Sequence, residues 1–504
     1  MNHLLAAIGL SRGRNIANRL IPIGSSRIGN ILVTAVALVW FLGISRAGAD
    51  ATAQPDSATQ DNTELRGEVN QLKAKVDRLE SNQPQNPSAN EQMPASTRPS
   101  IPDTNQATFH ALHLTSGYDP AVGFVIRSDD GQFSFHPGIV FQFRDTTTYR
   151  EKLAPGNGSE VPSPLYNTEN GFSVSRMRLT FDGNFTKDVT YYFQLQDDQG
   201  AGMGLLDAYA VYHFQDFPFA IKIGQLKDPV WHERNLSEST LMAADRSLVE
   251  ALLGGESSPI SRTKGVSFMY DQGPLRAQAV IHGGFDTSNT KFIDSGGIGA
   301  GVSGASGVTP MNYGVSGRAE GILIGRRTPQ FNPFSEYDQG FSALGDTQDI
   351  LVLGGGEDFS QAGANTLLLH SVDLQYDSAC GASAYAAYYG SYRHLRHNQG
   401  VQPGFYYDPG FEIQMAYLLT PRIEPFARYD YTYLSRGATA GLFTGEAQEI
   451  TIGANYYLYK QNVRFTLDAS YLPDGAPADQ DSLGILKDSG HNEAVLRLQF
   501  QLAL

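Results

Sequence analysis

The sequence contains a single cysteine, Cys380, among 504 residues, so it forms no internal disulfide. Beyond residue 50 it has no apolar run approaching the roughly 18 residues that a transmembrane helix needs, which excludes a helical membrane bundle. Basic residues are also scarce, since 37 Lys and Arg stand against 52 Asp and Glu and give a formal net charge of −15. This acidic balance argues against a nucleic-acid partner, because nucleic-acid binding depends on basic surfaces.

Residues that carry enzyme or metal chemistry do not form a recognisable set in the sequence. Gly299–Gly304 has the G-x-G-x-x-G spacing of a dinucleotide site, but it lies in a Gly/Ser-rich stretch and no helical pattern follows it. His394 and His397 lack an evident third metal ligand. His232 and Glu233 lack the second histidine of a zinc-protease helix. We therefore expect no enzyme activity, no cofactor and no metal ion.

The N-terminus has the composition of a secretion signal. Four arginines precede an apolar core at Ile31–Ile44, and small residues follow at Ala47–Ala49. The basic residues are Arg12, Arg14, Arg19 and Arg27. Residues 1–49 are therefore interpreted as a signal peptide. An uncleaved anchor helix is the alternative, although the apolar core is short for crossing a bilayer.

A short heptad pattern and a polar stretch follow the signal. Leu and Val alternate at spacings of four and three residues, which is typical of a coiled coil. The heptad residues are Leu65, Val69, Leu72, Val76 and Leu79. The sequence predicts a short periplasmic coiled-coil helix over residues 50–80, with a solvated single helix as the alternative. Residues 81–122 are rich in Pro, Ser and Asn, and they are interpreted as a linker.

Residues 123–504 read as strands separated by turns. In Asn492–Leu504 apolar and polar residues alternate with period two, which indicates a strand with one apolar and one polar face. Sixteen strands can be counted, an even number that suits a bacterial transmembrane barrel. The predicted fold is all-β, a sixteen-stranded antiparallel transmembrane β-barrel. Its strands begin near Gln132, Met177, Val189, Leu205, Phe219, Gly265, Leu275, Asn312, Asp349, Thr366, Ala382, Pro409, Ile423, Gln448, Val463 and Glu493.

The connections alternate between long and short, as the outer loops and periplasmic turns of such barrels do. Gly325–Gln348 departs from this rule, because it is long where a short turn is expected. The longest connection, Asp228–Lys264, has a helical pattern at Ser237–Leu253. We expect it to fold into the lumen as a constriction loop, with a loop lying over the barrel mouth as the alternative. The charged residues predicted at the constriction are Arg234, Arg246, Glu250 and Arg262.

Strand parity identifies the charged residues that face the lumen. The predicted pore-lining cations are Arg176, Arg178, Lys222, Arg428 and Arg497. Asp182, Glu424 and Asp430 are the predicted lumen acids. Opposite signs on the wall would produce a transverse field in a water-filled channel.

The run from Phe172 to Leu248 resembles the phosphate-selective porins O and P. The matching pieces include Ser175–Leu179 with Phe181–Gly183, Asp207–Tyr209, Gly224–Pro229 and Asp245–Leu248. Pro421–Asp430 and Gly453–Tyr457 are weaker matches further along the chain. The resemblance implies a sixteen-stranded trimeric porin whose third loop folds into the pore, and it implies anions such as phosphate as permeant solutes.

These observations predict an outer-membrane porin of a Gram-negative-type bacterium, with its N-terminal segment in the periplasm. Small hydrophilic solutes or ions would diffuse passively through it. Its expected partners are outer-membrane lipid and two further copies of the chain in a homotrimer. A structural barrel that tethers the membrane to the cell wall through residues 50–104 is the alternative, and channel conductance distinguishes the two.

Overall fold

The structure is a computed structural model. It describes residues 113–119, 123–151, 168–197, 202–257, 262–285, 313–362, 365–396, 403–435, 445–476, 483–486 and 491–504. The predicted signal peptide over 1–49 and the predicted coiled coil over 50–80 lie outside these ranges. Most of the predicted linker over 81–122 also lies outside them, but its last part contains a strand at Leu114–Asp119. No helix within the described ranges is both long and apolar enough to cross a membrane.

The described residues form a sheet of eighteen antiparallel strands. They are β1 (Leu114–Asp119), β2 (Gly123–Ser128), β3 (Ser134–Arg150), β4 (Thr168–Asn184), β5 (Val189–Asp197), β6 (Gly204–His213), β7 (Phe219–Lys227), β8 (Arg262–Gln272), β9 (Leu275–Phe285), β10 (Tyr313–Ile324), β11 (Ile350–Ala362), β12 (Asn365–Asp377), β13 (Ala382–Leu395), β14 (Gly404–Tyr417), β15 (Ile423–Leu434), β16 (Gly445–Tyr459), β17 (Val463–Leu472) and β18 (Glu493–Ala503). Short helices lie at His232–Asn235, Leu248–Ala251 and Pro333–Asp338, and Leu252–Ser257 is a π-helix.

Strands β3 to β18 close into a barrel. Each strand pairs with the next one along the chain, and β18 pairs with β3 from Glu493 opposite Arg150 to Ala503 opposite Val140. Strands β1 and β2 form a lead-in hairpin, and β2 pairs with β3 at Ser134 and Phe135. Closure leaves none of these sixteen described strands at a sheet edge. The prediction of a sixteen-stranded antiparallel barrel is confirmed.

The two faces of the wall differ as the sequence alternation predicts. On β18 Leu496 and Leu498 point outward and are about half exposed, whereas Arg497 and Gln501 point inward and are fully buried. Because the apolar face is the one that remains exposed, lipid is the medium that suits it.

The first barrel hairpin is longer than the sequence suggests. The alternation predicts that the loop after the first strand begins at Asp145, but β3 continues to Arg150 and β4 begins at Thr168. Thr146–Thr148 favour strand structure because they are β-branched. They carry no apolar alternation, and for that reason the period-two pattern does not include them.

The long connection at residues 325–349 folds into the barrel from the rim that carries the short turns. Asn332 caps its helix by accepting a hydrogen bond from the Phe334 amide, and Pro333 begins the helix. Phe334 and Tyr337 are buried against Val352 on the inner wall. Further along, Gly340 adopts φ +98°, and a Cβ there would lie 2.2 Å from the Thr240 carbonyl oxygen. This connection, called the inner turn below, is therefore long because it fills part of the lumen.

A charged residue introduced on the outer face should destabilise the barrel strongly in the middle of a strand and only weakly at the end of the strand. We expect Leu498→Arg, near the middle of β18, to reduce the free energy of unfolding by about 2–4 kcal/mol, because arginine is expensive at the bilayer midplane. Leu504→Arg is the matched control at the end of the strand, where the cost falls to about 0–1 kcal/mol. Urea unfolding in phospholipid vesicles measures both variants. Equal costs would contradict the assignment of this face to lipid.

Candidate constriction site in the lumen

The connection after β7 lies inside the barrel. Residues 228–257, called the inserted loop below, contain the helices His232–Asn235 and Leu248–Ala251, with the π-helix Leu252–Ser257 directly after the second. Ser247 caps the second helix by accepting a hydrogen bond from the Glu250 amide. The structure places this loop in the lumen rather than over the barrel mouth.

Apolar packing holds the inserted loop against one side of the wall. Val230, Trp231 and Leu253 are fully buried in a cluster with inward residues of β12, β13 and β15. Leu248 and Leu252 pack in a second cluster with inward residues of β16, β17 and β18. The loop therefore covers the half of the lumen wall that runs from β12 to β18.

Buried ion pairs fix the other face of the inserted loop. Asp245 accepts hydrogen bonds from Arg144 at 2.8 Å and from Arg176 at 2.6 Å, so one carboxylate joins β3 and β4 to the loop. Glu238 pairs with Arg178 of the wall and with Arg246 of the loop itself, the second at 2.9 Å. These side chains are all less than a tenth exposed, so salt screens the pairs little.

Wall residues also bind the backbone of the inserted loop. Arg428 donates hydrogen bonds to the carbonyl oxygens of Asp245 at 3.0 Å and Arg246 at 3.2 Å. Asp468 accepts a 2.8 Å hydrogen bond from the Ala244 amide, and Arg464 donates to the Leu241 carbonyl oxygen at 2.5 Å. Because irregular backbone in the lumen needs polar partners, these bonds allow the loop to be buried.

The surrounding arginines keep the two loop carboxylates ionised. Burial by itself would raise the pKa of Asp245, but Arg176 and Arg144 more than offset this effect and lower it. Burial acts on Glu238 in the same way, and Arg178 and Arg246 lower its pKa well below the usual range. The loop therefore carries negative charges that match the positive charges of the wall.

The other residues predicted at the site lie in different surroundings. Arg497 points inward and donates to Asp468 at 2.6 Å. Lys222 is half-buried, and its ammonium lies 4.8 Å from the centre of the Tyr209 ring. Arg234 and Glu250 form an ion pair at 2.8 Å within the inserted loop.

Arg262 lies outside the inserted loop. It is the first residue of β8, and its guanidinium group donates two hydrogen bonds to the carboxylate of Asp207 on β6, at 3.2 and 3.1 Å. The structure therefore brings Arg176, Arg178 and Arg428 together at the loop, while Lys222 and Arg262 belong to another part of the wall.

Several residues that hold the loop were not predicted from the sequence: Arg144, Glu238, Asp245, Arg464 and Asp468. The wall residues could have been predicted from the alternation along each strand. Arg144, for example, is two positions from Gln142 and therefore lies on the same face of β3. No periodic signal marks Asp245 or Glu238, because their partners lie on strands distant in the chain.

The wall from β5 to β9 differs from the covered half. Four of its inward residues, Tyr209, Lys222, Arg276 and Gln278, are partly exposed, and the Arg276 side chain is 25% exposed. By contrast, inward Asp430 of β15 is fully buried. The inserted loop thus leaves this side of the described lumen partly accessible.

Two of the three histidines singled out in the sequence lie within the described residues, and both make ring contacts. His394 lies on β13 and stacks on Phe405 with ring centres 4.1 Å apart. His232 is buried in the inserted loop and stacks on Tyr337 of the inner turn at 3.7 Å. His397 and Gly299–Gly304 lie outside the described residues.

Comparison with known families identifies part of the chain. Residues 161–322 match the family described as phosphate-selective porin O and P. This part of the chain is similar to that porin family. The match includes β4 to β10 and the inserted loop, and it confirms the resemblance seen in Phe172–Leu248. The family and the closed barrel together support an outer-membrane channel.

Comparison with solved structures finds other outer-membrane proteins, while no curated protein matches the sequence. The OmpF porin of Salmonella typhi, in complex with daunomycin, is 14% identical with a TM-score of 0.47, over 74% of this chain and 99% of that one. The anion-selective porin from Comamonas acidovorans is 11% identical with a TM-score of 0.46, over 74% and 100%. The outer-membrane channel DcaP of Acinetobacter baumannii is 12% identical with a TM-score of 0.44, over 75% and 99%.

Removing the charge of Asp245 should loosen the inserted loop. We expect Asp245→Asn to lower the free energy of unfolding by about 3–5 kcal/mol, because it leaves Arg144 and Arg176 buried without a carboxylate. Asp338→Asn is the matched control, since its carboxylate pairs with Arg276 but is 49% exposed and should contribute about 0–1 kcal/mol. Urea unfolding in vesicles measures both. Equal losses would contradict the anchoring role of Asp245.

The inner turn carries an acidic group whose ionisation is disfavoured. Burial raises the pKa of Asp346 to about 8, and the neighbouring carboxylates of Asp377 and Glu336 add to the effect. A carboxyl group with a raised pKa binds more protons in the folded state than in the unfolded state. The packing of the inner turn should therefore weaken as pH rises from about 4 to about 8.

Asp346→Asn should remove this pH dependence. In the unmodified chain we expect hydrogen exchange of amides in the inner turn, corrected for intrinsic rates, to lose protection between pH 5 and pH 8. Asp349→Asn is the control, because hydrogen bonds from Ser378 and the Ala379 amide lower the pKa of Asp349 instead. Unchanged protection across this range in the unmodified chain would refute the prediction.

Proposed function

We propose that the chain is a passive outer-membrane channel in which small hydrophilic solutes move along the β5–β9 side of the lumen. The observation that carries this proposal is the one-sided packing of the inserted loop. Its apolar clusters lie on β12 to β18, whereas some inward side chains of the opposite wall, among them Tyr209, Lys222 and Gln278, stay partly exposed. Polar side chains on an accessible wall suit the passage of hydrated solutes.

The charges along this side favour anions weakly. Lys222 and Arg276 lie on this wall and are partly exposed, and two acids with side chains that are more than a third exposed are Asp182 and Asp338. Asp338 and Glu320 both pair with Arg276, so part of the positive charge is compensated. A modest excess of positive charge raises the local concentration of small anions without requiring tight binding.

High phosphate specificity is not part of the proposal. A strong phosphate site needs arginines whose hydrogen-bond donors can reach the ligand. Here Arg144 and Arg176 share Asp245, and Arg178 pairs with Glu238. A phosphate ion would have to displace these buried carboxylates, so we expect general small anions rather than phosphate alone.

The assembly and the N-terminal segment follow from the family resemblance. We propose a homotrimer in outer-membrane lipid, with residues 50–80 on the periplasmic side. The competing proposal is a structural tether that contacts the cell wall through residues 50–104. An open channel and a structural barrel differ in conductance, so one measurement separates them.

Reconstitution of the mature chain in a planar bilayer tests the channel. We expect discrete conductance steps, a reversal potential of anion-selective sign in a potassium chloride gradient, and no block by low concentrations of phosphate. Absence of conductance steps would refute the channel and favour the tether. Block by dilute phosphate would instead show that the wall arginines reach the solute.

Lys222 provides a test of the proposed route. Lys222→Gln should shift the reversal potential towards cation selectivity, because it removes a positive charge from the accessible wall. Lys187→Gln is the matched control, since Lys187 lies in the turn between β4 and β5 outside the lumen. A shift of equal size in both variants would place the route elsewhere.

A further inference from the structure

Three side chains at the root of the inserted loop form a compact, fully buried group that the channel proposal does not use. Asp228 is the first residue after β7, His282 lies on β9 and Asp358 lies on β11. One ligand atom from each lies within 4.8 Å of the others. The His282 Nε2 atom is 2.8 Å from Asp358 Oδ2 and 3.7 Å from Asp228 Oδ2.

We propose that Asp228, His282 and Asp358 bind a divalent cation of the zinc type that fixes the root of the inserted loop to the barrel wall. One imidazole nitrogen and two carboxylate oxygens form a mixed donor set that zinc accepts. Ligand atoms around a tetrahedral zinc ion lie about 3.3 Å apart, because the bonds are about 2.0–2.2 Å long. The two measured separations from His282 lie on either side of this value, and the three ligand atoms all lie within 4.8 Å of one another, so a modest movement of the carboxylates would bring all three to zinc distance.

The hydroxyl groups around the acids orient them as supporting partners of metal ligands do. Ser316 donates to Asp228 Oδ2 at 2.7 Å, and Ser360 donates to Asp358 Oδ1 at 2.7 Å. The Val230 amide donates to Asp228 Oδ1 at 3.1 Å. These bonds point the carboxylates inward towards the imidazole.

The backbone on both sides of His282 leaves room for its ring. Gly265 of β8 and Gly314 of β10 are its direct partners in the two neighbouring strands. A Cβ at Gly314 would lie 2.1 Å from the His282 Cε1 atom. A Cβ at Gly265 would lie 2.9 Å from the Cβ atom of His282. Two glycines opposite one histidine indicate that the ring position is closely constrained.

The charge balance favours a cation at this point. Two carboxylates that are 0% exposed face one another, and the described ion pairs give them only His282 as a basic partner. Buried like charges are expensive unless they are neutralised. A divalent cation balances both carboxylates while the imidazole stays neutral, which is also the form that binds metals.

Zinc retention by the folded mature chain tests the site. The tag-free protein is dialysed against Zn²⁺, freed of excess metal by gel filtration, and assayed for zinc by mass spectrometry. We expect about one zinc per chain in the unmodified protein and none in His282→Gln or Asp358→Asn. His136→Gln is the matched control, because the described ion pairs join His136 to one carboxylate, that of Asp182 at 3.0 Å, and this variant should keep the zinc.

Two further measurements keep the test decisive if a ligand variant does not fold. Ser316→Ala should fold and weaken zinc binding by about 10–100-fold, since it removes only a supporting hydrogen bond. Zinc X-ray absorption of the unmodified protein should show a single imidazole with oxygen ligands. The proposal is overturned if the unmodified chain retains no zinc, if His282→Gln retains it, or if the spectrum shows several imidazoles.

Discussion

The constriction depends on the buried contact between the carboxylate of Asp245 and the guanidinium groups of Arg144 and Arg176. An arginine facing a narrow lumen needs either water or a counter-charge, because a buried unpaired charge is costly. The inserted loop supplies that charge, and the wall in turn supplies donors to its backbone carbonyls. Each side of the contact is therefore stable only in the presence of the other.

This mutual dependence gives the lumen two unlike halves. On β12 to β18 the inserted loop adds apolar packing to the polar contacts, and the inner turn reaches the same region from the opposite rim. Gly340 of the inner turn meets the Thr240 carbonyl of the inserted loop so closely that a side chain would not fit. On β5 to β9 some inward residues, such as Lys222 and Gln278, keep partial contact with solvent. The asymmetry is the basis for the proposal that solutes pass along the wall that the inserted loop does not cover.

The barrel itself could be predicted from the sequence, whereas the contacts in the lumen could not. Period-two alternation in β18 reports the face of every residue, so Arg497 and Leu498 are assigned correctly from local pattern alone. Asp245 meets Arg144 across about a hundred residues of chain, and no periodicity records such a pairing. The inner turn was visible in the sequence only as an unexplained length, because its burial depends on where the barrel brings its two ends.

Cysteine accessibility tests the two-sided lumen most directly. In a Cys380→Ser background, Gln278→Cys places a thiol on the half-exposed β9 wall, and Thr451→Cys places one on the buried β16 wall. We predict that a charged methanethiosulfonate reagent changes the single-channel conductance of Gln278→Cys and leaves that of Thr451→Cys unchanged. Modification of Thr451→Cys with no effect on Gln278→Cys would contradict the account.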